Sequence, residues 1–348
     1  MEAKLFKNFH VIEHALNSAV NLDELHNFEA VDPTGGSWRT MGFVPVDVDN
    51  ELTMDVQGAA LLVCVQVNER ILPGAVLREK MVERIASIQA REGRKLGKKE
   101  YAQIRDEIEF ELLPTAFIRR KLVPIMFTNN NRTLIFTASA KLCDDIFVLL
   151  MRACPGYAEL KPQALDSVVK NSIAGTLTTL AKDGQTDMVD DDDRATDYIG
   201  VANAAVLKGD GKKTIRIKDK NIAESDMQAL LKQDYTVTAL RLDFFEANSI
   251  EDEAATFTLN EHLVISALVL ANIDVGKEKG KAEEFDKFMA TAWAVAIITH
   301  QIIEAIIRVM GGYRDPSEVD AGDELIEESI ELVKSMKPVT VDDDDDEL

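Results

Sequence analysis

The sequence predicts an α+β protein: a sheet-containing body with a projecting helical hairpin and an acidic C-terminal extension. Three observations carry this expectation. Strand-like and helix-like runs come in blocks, not in strict β-α-β alternation. Between Pro73 and Pro114 two helical stretches, each apolar along a narrow stripe only, flank a charged bend. From Arg314 to Leu348 there are 14 acidic residues against three basic ones, a net of −11.

In chain order, Leu5–Leu16 mixes apolar and polar side chains, and Phe6–Ile12 is assigned as a strand. Gly42–Val48 alternates and reads as a short strand, with Pro45 favouring an edge. Gly58–Val67 (GAALLVCVQV) is a largely buried strand. Pro73-Gly74 breaks it and opens a helix on which Leu77, Met81, Ile85 and Ile88 recur at spacings of four, four and three. Glu92-Gly93 interrupts that helix, and a second runs from Lys98 to Leu113, stopped by Pro114. Arg132–Ala138 is a strand, and Lys141–Cys154 a helix ended by Pro155-Gly156. Asn171–Leu180 is compatible with strand or helix, and Gly184–Arg194 is a polar, acidic loop. Thr214–Ile217 is a short basic strand, followed by a helix across Ala223–Leu231. Thr236–Phe244 alternates cleanly, and Ala254–Leu259 is its candidate partner. Phe285–Met310 is a long helix, apolar around most of its circumference and therefore buried, ended by Gly311-Gly312. Glu324–Met336 is amphipathic, and Asp342–Asp346 belongs to a solvated tail. These runs divide the chain into a central body (1–72 and 122–180), a hairpin tip (73–121), a second α+β region (181–313) and an acidic helical extension with a disordered tail (314–348).

Of 348 residues, 61 are acidic and 39 basic, a formal net charge of −22, and a hydrophobic fraction of 46% is ample for a core. Cys64, Cys143 and Cys154 are too few for a disulfide framework or a paired-cysteine zinc site, and they fit a reducing cytoplasm. The N-terminus lacks the apolar run of a secretory signal. The longest uncharged stretch, Phe288–Ile303, has 16 residues, short of a membrane span. A cytoplasmic protein with no membrane partner is expected. A charge of −22 argues against nucleic acid only if it is evenly spread. It is not. Glu69–Lys121 holds 13 basic and 9 acidic side chains, and Ala205–Lys220 holds six basic and two acidic ones.

No motif points firmly to catalysis. His10-Val-Ile-Glu-His14 matches the HxxEH pattern of inverted zinc proteases, whose chemistry needs both imidazoles one helical turn apart. The surrounding residues are β-leaning and offer no helix cap, so two surface histidines on a strand are the simpler expectation. Asp190–Asp193 supplies charge for a metal-dependent nuclease but no scaffold, and Glu159-Leu-Lys161 follows a helix stop rather than lying on a catalytic strand. Glycine-rich nucleotide loops and a GxSxG elbow are missing, and Gly209-Asp-Gly-Lys-Lys213 reads as a loop. His262 and His300 are isolated helical histidines. Neither a catalytic residue, nor a metal site, nor a cofactor is expected.

The basic residues point elsewhere. Arg91, Arg94, Lys95, Lys98 and Lys99 put five cations within nine residues at the bend of the hairpin. Arg119, Arg120 and Lys121 extend them into a stripe. Only Tyr101 and Phe117 are interleaved aromatics, which favours contact with a duplex backbone over stacking on a single strand. An ordinary solvated face, partly compensated by Glu92, Glu100 and Glu107, is the plainer alternative.

A series of segments in order then resembles the RdgC family of bacterial recombination-associated proteins. It comprises LFKN (5–8), MGFVP (41–45), ILP (71–73), RKLGKK (94–99), LLPTAF (112–117), ASAK (138–141), NSIAGTLT (171–178), IRIKDKNI (215–222) and TALRLDF (238–244). With the glycine-ended apolar helix, the resemblance covers about residues 4–313. It implies a homodimer closed into a ring around a basic hole, binding double-stranded DNA with little sequence preference and restraining RecA-driven recombination. That places it in the cytoplasm, on the nucleoid. The resemblance implies no catalytic chemistry, although the family is sometimes labelled an exonuclease. By the same resemblance Phe117 makes a ring-closing contact, Arg94, Lys95, Lys98 and Lys99 lie near the DNA path, and Arg216, Lys218 and Lys220 form a second basic segment. Two departures remove cations: Gly97 interrupts the basic run and loosens the bend, and Thr115 stands in the LLPTAF segment. The terminal segment has no counterpart in the family pattern, and its −11 equips it to compete with DNA for the hole. A metal-dependent nuclease or hydrolase, and a DNA-mimicking protein-interaction module, are the alternatives.

Overall fold

The computed structural model describes residues 3–315 apart from 16–18, 47–50, 189–193, 210–212, 219–225, 232, 234, 248–251 and 272–280. The terminal acidic segment beyond Asp315, the Asp190–Asp193 run and Lys220 therefore lie outside the described residues.

The chain is α+β, built on two antiparallel sheets. The first contains β1 (His10–His14), β2 (Arg39–Val44), β3 (Thr53–Val56), β4 (Ala60–Ile71), β5 (Phe117–Thr128), β6 (Arg132–Ile135) and β7 (Pro162–Ala164). Its order is β2-β4-β5-β6-β1-β7, with β3 also paired to β4. The second contains β8 (Tyr198–Lys208), β9 (Thr214–Ile217), β10 (Thr236–Phe245), β11 (Ala255–Asn260) and β12 (Ile265–Leu270), in the order β12-β11-β10-β8-β9. Period-two alternation gives the first sheet two apolar faces. Ile12, Val63, Val65, Ile125 and Ile135 pack under α3 (Ala140–Ala153). Val11, Leu62, Met126 and Leu134 face a second core shared with the other sheet, α5 (Ile173–Asp183) and α7 (Lys281–Val309).

Helix α7 is long and apolar enough over Phe285–Val309 to cross a membrane, a longer span than the 16 uncharged residues indicated. Phe288, Ala292, Val295, Ile302 and Ile306 bury its apolar side in the shared core. Gly311 and Gly312 follow it with left-handed φ values of 79° and 84°. A Cβ at Gly311 would also meet the Asn171 side chain at 2.6 Å.

Several elements differ from the sequence reading, each for a local reason. Phe6–Ile12 is not one strand: Ala3–Lys7 forms a 3-10 turn and β1 begins at His10. The turn lets Phe6 and Phe9 reach the same ring, Phe136, at centroid distances of 4.9 and 5.3 Å, whereas residues three apart on a strand face opposite ways. Strand β5 gives no clean strand pattern in the sequence because Pro124 interrupts it. Pro124 accepts from Phe136 N–H on the side away from β4, just where β6 has ended, so its missing N–H leaves no ladder gap. Strands β8 and β12 were also missed; β8 carries glycine and three alanines, and both belong to ladders with register shifts. The ambiguous Asn171–Leu180 segment is helical, capped by Ser172, whose hydroxyl accepts from Gly175 N–H. Residues 29–30 run so close to β2 that a Cβ on Gly42 would lie 2.6 Å from backbone atoms of Glu29 and Ala30.

All three cysteines are free and buried, and burial pushes each thiol up to about 12.

Candidate nucleic-acid interface

β4 and β5 pair over their whole lengths, from Ala60 opposite Thr128 to Ile71 opposite Phe117. The chain that joins them, α1 (Gly74–Glu92) and α2 (Lys98–Leu112), springs from the end of this ribbon. Helix α1 buries no residue, and α2 buries only Ile104 and Ile108. Leu77, Met81, Ile85 and Ile88 are the half-buried stripe of α1, as their spacing predicts. At the root, Arg70 ties the hairpin to the body by donating to the backbone carbonyls of Leu113 and Pro33.

The bend carries the five predicted cations in two different states. Arg94 grips Glu100 with both terminal nitrogens (2.9 and 2.6 Å) and also meets Glu92 at 2.8 Å. Glu100 in turn accepts from Gly97 N–H at 2.7 Å, and the Arg94 and Gly97 donors hold its carboxyl down at about 2. Gly97 therefore starts α2 rather than loosening the bend; Gly93, with φ 65°, is the residue that turns the chain out of α1. Arg91 lies 3.5 Å from Glu92. By contrast, Lys95, Lys98 and Lys99 are exposed and enter no ion pair among the described residues. Lys98 and Lys99 also sit in the first turn of α2, where the helix dipole adds to their positive potential.

Arg119, Arg120 and Lys121 lie on β5, so they do not form one stripe. Arg119 pairs across the ribbon with Glu69 at 2.5 Å. Arg120 points to the other face, where Asp32 takes it through both carboxylate oxygens. Lys121 shares the Arg119 face; partial burial, then Arg119 and Arg39, lower its pKa. Arg39 is the cation that sequence inspection overlooked. It sits on β2 opposite Glu69 and is bonded to Asp145 at 2.6 Å, so alternation across three strands was needed to place it. Phe117 is 84% exposed at the root of the hairpin. Phe110, 69% exposed, lies beside Gly36. Arg216, on edge strand β9, and Lys218, just beyond it, are exposed and unpaired among the described residues.

The HxxEH residues fall on β1, where the strand period separates them. Glu13 lies on the α7 side, bonded to Arg132 at 2.6 Å, while His14 lies on the other, against Tyr157 and 2.9 Å from Thr133 Oγ1. They are buried rather than surface groups, and burial lowers His14 to about 4. Glu159 and Lys161 lie on and just after a 3-10 turn. His262 is in the turn between β11 and β12, not on a helix. His300 accepts a 3.0 Å hydrogen bond from Arg132 through Nδ1.

Two antiparallel sheets with a charged helical hairpin drawn out of one ribbon define the class of fold. Sequence comparison supplies the family. Residues 5–313 match the family described as “Putative exonuclease, RdgC”. Among similar proteins is a recombination-associated protein RdgC of Shewanella piezotolerans, 24% identical over 73% of this chain and 78% of its own. That of Shewanella halifaxensis is 25% identical over 76% and 82%, and that of Pseudomonas entomophila 26% over 76% and 81%. The chain belongs to the RdgC family.

Proposed function

We propose that this chain binds double-stranded DNA without sequence preference, as a homodimer closed into a ring, and thereby restrains RecA-driven recombination on the nucleoid. One observation carries the reading: Lys95, Lys98 and Lys99 stand exposed, and unpaired among the described residues, at the end of a hairpin thrust out of an otherwise acidic protein. Three point charges without an interleaved aromatic suit phosphate oxygens rather than base edges or unstacked bases. Arg216 and Lys218 supply a second exposed basic segment, and Phe117 an apolar surface for the ring-closing contact. The action is binding and not catalysis; in support, the HxxEH groups are divided between two faces of β1.

The test is anisotropy of a labelled duplex in EDTA across a salt series, repeated with unrelated sequences and then with Mg²⁺ or Zn²⁺. Affinity that falls steeply with salt, is indifferent to sequence and brings no cleavage is the expected outcome. Strand cleavage on adding metal would replace this reading with the nuclease one. No duplex binding at low salt would leave the protein-interaction module.

A further inference from the structure

A cavity of about 610 Å³ opens between the first sheet and the turn joining β11 to β12. None of its lining residues belongs to the hairpin or to β9. One wall is the outer part of α3, with Phe147, Val148 and Met151. Facing it are Ile12, Leu165 and Leu263. The turn that closes the cavity is held in place: Phe9 and Ile265 exchange backbone hydrogen bonds of 2.8 and 3.1 Å, and Asn260 Oδ1 accepts from His262 and Val264. Leu263 is locked there at φ 51°. The cavity is therefore part of the built fold, and its size lies in the range of small-molecule sites.

Its polar lining is mixed: beside Asp144 and Asp166 it holds Gln163, Ser167, Asn260, His10 and His262. His10 lines the cavity, and its Nε2 is buried without a partner in the protein. Asp144 on α3 and Asp166 on α4 (Leu165–Val168) line it too, with His262 3.6 Å from Asp166. Burial lowers the His10 pKa although both carboxylates oppose the shift, so the ring is neutral near pH 7. The cavity thus presents two carboxylates above apolar walls.

We propose that this cavity binds a small amphipathic amine, with an apolar body the size of a fused aromatic ring pair seated against Phe147, Val148 and Leu263 and a primary ammonium head held by Asp144 and Asp166. An ammonium group brings a positive charge and three donors to the two carboxylates. An anion of the same shape meets two carboxylates. The proposal stands apart from the DNA-binding reading, because its measurement contains no DNA.

The probe is 1-naphthylmethylammonium, titrated calorimetrically into the full-length protein, with 1-naphthylmethanol and 1-naphthylacetate as neutral and anionic isosteres. The ammonium is expected to bind about tenfold more tightly than the alcohol, and the acetate most weakly. Replacing both carboxylates (Asp144→Asn with Asp166→Asn) is expected to bring the ammonium and the alcohol to about equal affinity. Filling the cavity by Ala164→Trp, or from the opposite wall by Val148→Trp, is expected to abolish binding of all three in a variant that retains the wild-type circular dichroism spectrum. No heat of binding for the ammonium would overturn the proposal. So would an affinity that survives both tryptophans, or an acetate that binds as well as the ammonium.

Discussion

Arg94 and Arg132 are each held by two carboxylates at nearly the same distances, yet they sit in opposite surroundings. Arg94 meets Glu92 at 2.8 Å and Glu100 at 2.6 Å at the tip of the hairpin, where water surrounds all three. Arg132 meets Glu13 and Glu304 at 2.6 Å each, but its side chain is only 4% exposed. It also donates to Tyr313 and His300, and so bolts β6 and β1 to α7 and the chain that follows. At the tip the pairing neutralises a cation and fixes the start of α2. In the core, desolvation makes each partner indispensable to the other. Burial pushes the Glu13 carboxyl up despite the adjacent guanidinium, while the guanidinium, disfavoured by burial, is held above its usual range by Glu13, Glu304 and Tyr313. The same pair of residue types is exposed and caps a helix in one place, and is buried and holds the core in the other.

The contrast breaks most visibly at Arg132. Arg132→Ala leaves Glu13 buried without its cation and should lower unfolding stability by about 3–5 kcal/mol in urea titrations. A destabilisation no larger than that of an ordinary surface substitution would mean the core cluster is not a unit. Next in size is Gly42→Ala. Its new methyl group meets backbone that has no flexible end to move, and a loss of about 1–3 kcal/mol is expected from the same titration.

The hairpin side of the comparison is sharpened by DNA binding rather than stability. Replacing Lys95, Lys98 and Lys99 together by glutamine should leave the unfolding midpoint in place. It should reduce the magnitude of the log-affinity against log-salt slope by about 2–3 per protomer. Arg94→Gln, which removes a cation already engaged by two carboxylates, should change that slope far less than the lysine triple. An equal effect would show that Arg94 leaves Glu100 to reach phosphate.

A further contrast concerns protons. His14 titrates near 4 in the folded chain because burial opposes its charge, against 6.5 when exposed. As pH falls from 6.5 towards 4 the unfolded chain takes up a proton that the folded chain refuses, so this residue makes stability decline over that window. His14→Gln should flatten the stability–pH curve there relative to wild type, while keeping a side chain able to bond Thr133.

Elements marked by local chemistry were legible in the residues: the Gly93 end of the first hairpin helix, the Leu77 to Ile88 stripe, and the alternation of Thr236–Phe244. Elements held by tertiary packing were not. β5 has a proline that only the early end of β6 excuses, and the Phe6–Phe9 turn exists to place two rings on Phe136. At the candidate interface the sequence named the hairpin and β5 cations but not Arg39, and local sequence does not show which of them are paired. Arg91, Arg94, Arg119 and Arg120 looked like Lys95, Lys98 and Lys99 until their carboxylate partners were in place, Asp32 and Glu69 coming from 88 and 50 residues away.

The sequence by itself determined the α+β class, the charged hairpin, the acidic terminal segment and, through its ordered segments, the family. These follow from periodicity, turn residues and local charge, which need no partner distant in the chain. Only the tertiary structure decided that Glu13 and His14 face opposite ways, that Arg132 is a buried bolt, and that three lysines are unpaired among the described residues. Pairing and burial depend on which residues meet across the sheets, and that meeting is set by strand register and packing rather than by neighbours in sequence.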